Sequence, residues 1–301
     1  MTATTADYLK LHFIVVILGF TAILGRLTDV SSLGVVFFRT LIAATGIGLW
    51  MLYKKKSLKI NKTNFWKLMG VGFLLGAHWM CFFGSARVST VAVSLICFST
   101  TSFFTSLIEP YFQKKAISWF EVILGVLVVI GIGFVFTFES QYLTGIILGL
   151  IGALLAAIFS VLNAQLTTNI EARIITFYEM LGAFLSCWLL IPLVFVFAEA
   201  QTFQLIPSPE DWKWLFILGI ICTVFPYIEM LNLLKKMTAF TVNLSLNLEP
   251  VYGIIMAYFI FGESEKMTGG FYVGAALILL TVVAHPLVER FKKKRRSIPS
   301  K

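Results

Sequence analysis

Charged residues are scarce in this chain: Asp, Glu, Lys and Arg make up 13% of 301 residues, against 58% that are hydrophobic. A soluble protein of this length needs far more polar surface, so that class is excluded before any motif is read. Cysteine is scarce too. Cys81, Cys97, Cys187 and Cys222 fall in or beside apolar runs and form no CxxC pair, which fits small buried side chains better than a disulfide framework or a thiolate metal site. The three histidines, His12, His78 and His285, are far apart and lack H-x-x-x-H or H-E-x-x-H spacing, so no metal and no cofactor is expected. Most joins between apolar runs have fewer than ten residues, and no soluble domain fits in them.

What remains is a series of apolar runs about 20 residues long, the length that a hydrocarbon core of roughly 30 Å requires. Ten spans are predicted, at about 10–28, 33–53, 66–86, 91–111, 118–138, 143–163, 174–197, 212–233, 238–260 and 268–288. The first is preceded by Asp7 and Lys10 and reads as a retained span rather than a signal peptide. The net charge of +9 does not point to nucleic acid, because the basic residues sit in short segments beside apolar runs. With the amino terminus in the cytoplasm, Lys54, Lys55, Lys56, Lys59, Lys114, Lys115, Lys235, Lys236 and the tail VERFKKKRRSIPSK all fall inside. Arg26, Arg87, Lys213 and Lys266 fall outside. The positive-inside rule selects this orientation, and an even span count returns the carboxyl terminus to the cytoplasm. The basic tail reads as an anchor on the anionic leaflet.

A weak internal repeat sets HWMCFFGSARVSTVAVSLICFST, from His78, against YIEMLNLLKKMTAFTVNLSLNLE, from Tyr227. Five spans would then correspond to five. An odd number of crossings separates equivalents, so the halves are oppositely oriented. The expected architecture is an all-alpha polytopic membrane protein with ten transmembrane helices in two inverted five-helix repeats, residues 1–141 and 142–301. Such repeats commonly enclose a midplane site served by alternating access.

Polar residues inside the spans are the candidates for that site. Glu249 lies midway along the ninth span, where an isolated carboxylate costs roughly 2.5–3.5 kcal/mol on insertion scales. It must be protonated, paired or facing water. Pro250 removes a donor and crowds the Leu246 carbonyl, predicting a loosened turn. Asn243 and Asn247, four residues apart, share a helix face. Glu229, one turn from Phe225 and beside Pro226, is the second deep carboxylate; with Glu249 it is the candidate for loading and releasing a proton. Arg39 and Glu179 lie early in spans two and seven and are expected on opposite sides of the membrane. Arg39 either fixes an anionic group or pairs with a carboxylate. Glu109 lies near the end of span four and is expected to reach the interface. His78 is a candidate cavity wall residue, paired in the repeat with Tyr227, and Trp79, Tyr178 and Tyr252 are aromatics suited to clamping a flat or cationic solute. Gly145, Gly149, Gly152 and Ala153 have helix-packing spacing.

The pattern resembles the drug/metabolite transporter superfamily, specifically the EamA-type ten-helix exporters. The likeness rests on FFRTLIAA at 37–44 and on LEPVYGIIMAYFIFGESEKMTGGFYVGAALILLTVV at 248–283, where Pro250, Glu263, Gly269 or Gly270, and Gly274 fall at positions the family commonly uses. Glu109–Pro110 looks like Glu249–Pro250 but falls out of register with it, so the two pairs are not symmetric binding elements. The resemblance implies a cytoplasmic-membrane carrier with both termini inside, exporting amino acids, related metabolites or toxic organic solutes, with or without proton coupling. The alternatives are a sugar-phosphate or nucleotide-sugar antiporter, which calls for more inward-facing cations than Arg39, and then an intramembrane enzyme or a non-transporting scaffold. The expected partners are a small-molecule solute and the lipid bilayer, with no nucleic acid. One chain suffices to enclose a cavity, so a monomer is sufficient, and a dimer is not excluded.

Overall fold

Short polar joins both start and stop the helices. In the computed structural model, which describes residues 3–138, 140–197, 204–262 and 267–296, Thr4 and Asp7 form a reciprocal capping box at the start of α1 (Thr5–Arg26), and Ser208 and Asp211 do the same for α9 (Pro209–Phe216). Ser31, Asn61, Thr90 and Thr238 accept from the third residue beyond them and so cap α2 (Ser32–Tyr53), α3 (Lys62–Val88), α4 (Val91–Phe98) and α11 (Ala239–Leu246). The remaining helices are α5 (Thr101–Gln113), α6 (Trp119–Phe138), α7 (Leu143–Leu166), α8 (Ala172–Phe197), α10 (Phe225–Leu234), α12 (Glu249–Phe261) and α13 (Gly269–Arg296). Residues Ile217–Val224 run continuously from α9 into α10 as a π-helical segment.

The chain is an all-helical polytopic bundle. Eight described helices or helix pairs are long and apolar enough to cross a membrane, and α6 and α13 add the shorter apolar stretches Trp119–Phe134 and Gly269–Thr281. Large apolar side chains line the perimeter, among them Trp66, Trp119, Leu189 and Phe259, as expected where lipid replaces water as the solvent. Glu263, Lys266 and residues 297–301 lie outside the described residues.

Two spans are broken in their middle, and they break alike. One consists of α4, with 8 residues, followed by α5, with 13; the other consists of α11, with 8, followed by α12, with 13. Pro250 explains the second break, since Leu246 O loses the donor that a helix would supply. The first break has no proline. Instead Thr100, Thr101 and Ser102 turn their hydroxyls back onto the carbonyls of Cys97, Phe98 and Ser99, competing with the helical ladder. The broken spans pack crosswise: α4 against α12, α5 against α11, α5 on α7 and α12 on α1.

Small residues set how closely the helices approach. A Cβ on Gly72 of α3 would lie 2.9 Å from the Gly182 Cα of α8, so the two backbones are in contact there. On α7, Gly145 faces Ser89, Gly149 faces Cys97 and Gly152 faces Cys81, which gives these glycines the packing role that their spacing predicts.

Candidate functional site

Arg39 is 2% exposed, inside α2, and its surroundings follow from the sequence of the helix opposite. Pro226 has no N–H to give the carbonyl of Cys222, four residues before it, and Thr223 turns its hydroxyl onto Leu218 O at 2.6 Å. Arg39 fills this irregular stretch. Its Nη2 donates to Cys222 O at 3.4 Å and its Nε to Thr223 Oγ1 at 2.6 Å. The guanidinium lies 3.9 Å from the Trp79 ring centroid. Nη1 is buried with no partner.

Arg39 and Trp79 open onto a central cavity of about 60 Å³. Glu249 lines the same cavity and is 3% exposed. Placed first in α12 by the chain break, it makes no hydrogen bond among those found for the described residues, and it forms no ion pair with Arg39 although the guanidinium is within electrostatic reach of its carboxyl. The other walls are aromatic or apolar, including Phe82, Phe98, Phe159 and Leu246, with His78 and Tyr227 as polar exceptions. His78 Nδ1 lies 2.9 Å from Gly152 O. A buried guanidinium and a buried carboxyl that are not joined to each other can each engage a complementary group of a bound molecule.

The structure divides the expected site residues. Arg39, His78, Trp79, Tyr227 and Glu249 line the cavity. Glu179 lies behind it, bonded to Tyr227 OH at 2.5 Å and to Asn163 Nδ2 at 3.1 Å. Asn243 and Asn247 tie the broken spans together, Asn243 Nδ2 donating to Thr105 Oγ1 at 2.8 Å and Asn247 Nδ2 to Ser102 Oγ at 3.0 Å. Pro250 is buried beside the break. Three expectations are corrected. Glu229 is not a deep cavity carboxylate: it is partly exposed and pairs with Lys10 at 2.6 Å. Tyr178 does not reach the cavity, because its hydroxyl caps Leu58 O at 2.8 Å. Tyr252 meets His12 Nε2 at 2.7 Å instead of lining the cavity.

Glu109 also departs from expectation. Rather than reaching the interface, it is buried and accepts from the Ala239 and Phe240 backbone N–H groups at 3.0 and 2.7 Å and from Gln113 Nε2 at 2.6 Å. Thr223 and Cys222, whose signal is the proline after them, and Asn163, an isolated amide in an apolar span, were not among the expected site residues.

Ties join helices at both ends of the bundle. At the end carrying the amino terminus, Asp7 pairs with Lys236 at 2.7 Å, beside the Lys10–Glu229 and His12–Tyr252 contacts, so α1 is joined to α10 and α12. At the opposite end, Arg87 binds the carbonyls of Gly25, Thr28 and Val30, and Asp211 Oδ1 accepts from Asp29 N at 2.8 Å. No group of three or more metal-ligating side chains occurs among the described residues.

Comparison with known proteins places this arrangement. The EamA-like transporter family matches residues 8–137 and again 143–284. An uncharacterized transporter of Synechocystis sp. (strain ATCC 27184 / PCC 6803 / Kazusa), sll1164, is 27% identical over 248 residues, covering 78% of this chain and 68% of that protein. An uncharacterized transporter of Archaeoglobus fulgidus is 23% identical over 273 residues, covering 86% of this chain and 91% of its own length. A solved crystal structure superposes with a TM-score of 0.70 at 15% identity, over 96% of this chain and 99% of that one, a likeness of fold alone.

Proposed function

Since the chain belongs to the EamA-like transporter family, and so is a membrane transporter and not an enzyme, we propose that it exports small zwitterionic metabolites of the amino-acid class by alternating access. The observation that carries the reading is the Arg39 and Glu249 pair. Among the described residues Arg39 Nη1 has no partner and Glu249 no hydrogen bond, and both line one cavity without forming an ion pair. A solute carboxylate on Arg39 and an ammonium on Glu249 would satisfy both, with the aromatic walls against the solute side chain.

Ligand sites are usually roughly 300–1,000 Å³, so a 60 Å³ cavity must widen before such a solute fits. Releasing the ties at one end while keeping those at the other supplies that widening and the alternation. Two halves, 1–141 and 142–301, related as inverted repeats, provide the frame. Support comes from the equal lengths of the two broken spans and from the family's two successive matches. The basic joins favour a cytoplasmic membrane location with both termini inside.

Thermal stabilisation of the purified protein tests the reading, across amino acids, organic cations and phosphorylated sugars, with Glu249→Gln alongside. Stabilisation by amino acids that the variant loses is the expected result. Stabilisation by phosphorylated sugars alone would replace this solute class with that of an antiporter.

A further inference from the structure

Behind the cavity wall is a buried cluster that solute binding does not use. Glu179 on α8, Asn163 on α7 and Tyr227 on α10 meet there with exposures of 0%, 1% and 5%. Their hydrogen bonds do not balance. Tyr227 OH donates to Glu179 Oε2, and Asn163 Nδ2 donates both to that oxygen and, at 3.0 Å, to the tyrosine oxygen. Every donor on the three side chains is then used. Glu179 Oε1 and Asn163 Oδ1 are left as buried acceptors with no partner.

A charged carboxylate here would also have no cation against it. Among the described residues, the elements packed on α8 direct their titratable groups elsewhere. Arg39 of α2 is held by Thr223, Cys222 and Trp79, and His78 of α3 by Gly152. Lys62 and Lys67 of α3 are exposed at its start, and Arg87 clamps the α1–α2 join. Glu229 of α10 pairs with Lys10, leaving Tyr227 as the titratable group α10 turns to Glu179. On α8 itself Arg173 pairs with Glu171, and Tyr178 caps Leu58. A buried unpaired charge and two unmet acceptors both oppose this state. One proton on Oε1 removes the charge and turns one of the two unmet acceptors into a donor.

We infer that Glu179 is a proton-binding site coupled to the central cavity, with Tyr227 as the link between them. Tyr227 both lines the cavity and bonds Glu179. A solute that draws the tyrosine hydroxyl to itself removes a donor from Glu179 Oε2, so cavity occupancy and protonation influence each other. That consequence rests on the transport reading; the proton site is testable without any solute.

Infrared difference spectra of the full chain in lipid nanodiscs, taken between neutral and alkaline pH with no solute, read the site. The expected signal is the carbonyl stretch of a neutral buried carboxylic acid, present in the wild type and in Glu249→Gln, lost in Glu179→Gln and displaced in frequency in Tyr227→Phe. Should Glu179→Gln not fold, the Tyr227→Phe displacement still assigns the band. A band that survives Glu179→Gln or ignores Tyr227→Phe overturns the inference. Loss of the band on adding sodium at constant pH would overturn it too, by making the cluster a metal-cation site. An empty solute screen leaves this readout untouched, so the two readings fail separately.

Discussion

Glu109 and Glu249 are both buried, both followed by proline and both carried by the second piece of a broken span, yet their oxygens meet different surroundings. Glu109 has three hydrogen bonds, two from the first N–H groups of α11, so its charge is spent on fixing a helix end. Glu249 has none among the described residues and faces a cavity shared with Arg39. Burial therefore does not separate these two carboxylates; unmet hydrogen-bonding capacity does, and it is the ground on which Glu249 rather than Glu109 is proposed to bind solute. Glu179, half satisfied, lies between the two.

Substitutions can break that comparison. Glu109→Ala strands two buried N–H groups and should cost about 3 kcal/mol of stability, read as a lowered unfolding midpoint in detergent, with solute affinity unchanged in the fraction that folds. Glu249→Gln should act the other way. An amino acid that stabilises the wild type should bind the variant about 2 kcal/mol more weakly, on the order of 30-fold, while unfolding shifts by less than about 1 kcal/mol because Gln keeps the shape of a side chain that makes no hydrogen bond among the described residues. In a ligand titration, Arg39→Lys keeps the charge but loses the planar stack on Trp79 and the Nε bond to Thr223, for a further loss of about 1.4 kcal/mol, or tenfold. Smallest is Glu229→Gln. Breaking its partly exposed pair with Lys10 should change stability by less than about 1 kcal/mol and leave titrations as they were, which separates it from Glu249.

The spans were legible because hydropathy alone sets them: the range 33–53 became Ser32–Tyr53, and 91–111 became Val91–Gln113 with its internal break. Pro250 announced the break in the ninth span. Its counterpart at Ser99–Thr100 carries no proline, only a run of hydroxyl side chains whose backward hydrogen bonds are visible once the fold is known. Arg39, His78, Trp79 and Glu249 were legible as costly or unusual groups in apolar spans. Glu229 was misplaced because depth along a helix says nothing of which way its face turns, and Lys10, its partner, is 219 residues away in sequence. Asn163 was missed because one amide in an apolar span becomes informative only when Glu179 and Tyr227 are seen against it.

Measuring Glu109→Ala and Glu249→Gln together, each for unfolding midpoint and for amino-acid-induced stabilisation, tests the central claim most directly. A crossed result is expected: the first variant loses stability and keeps the ligand response, and the second keeps stability and loses the response. If Glu249→Gln unfolds as readily as Glu109→Ala while its folded fraction responds to amino acids as the wild type does, Glu249 is a structural carboxylate and the cavity assignment is contradicted.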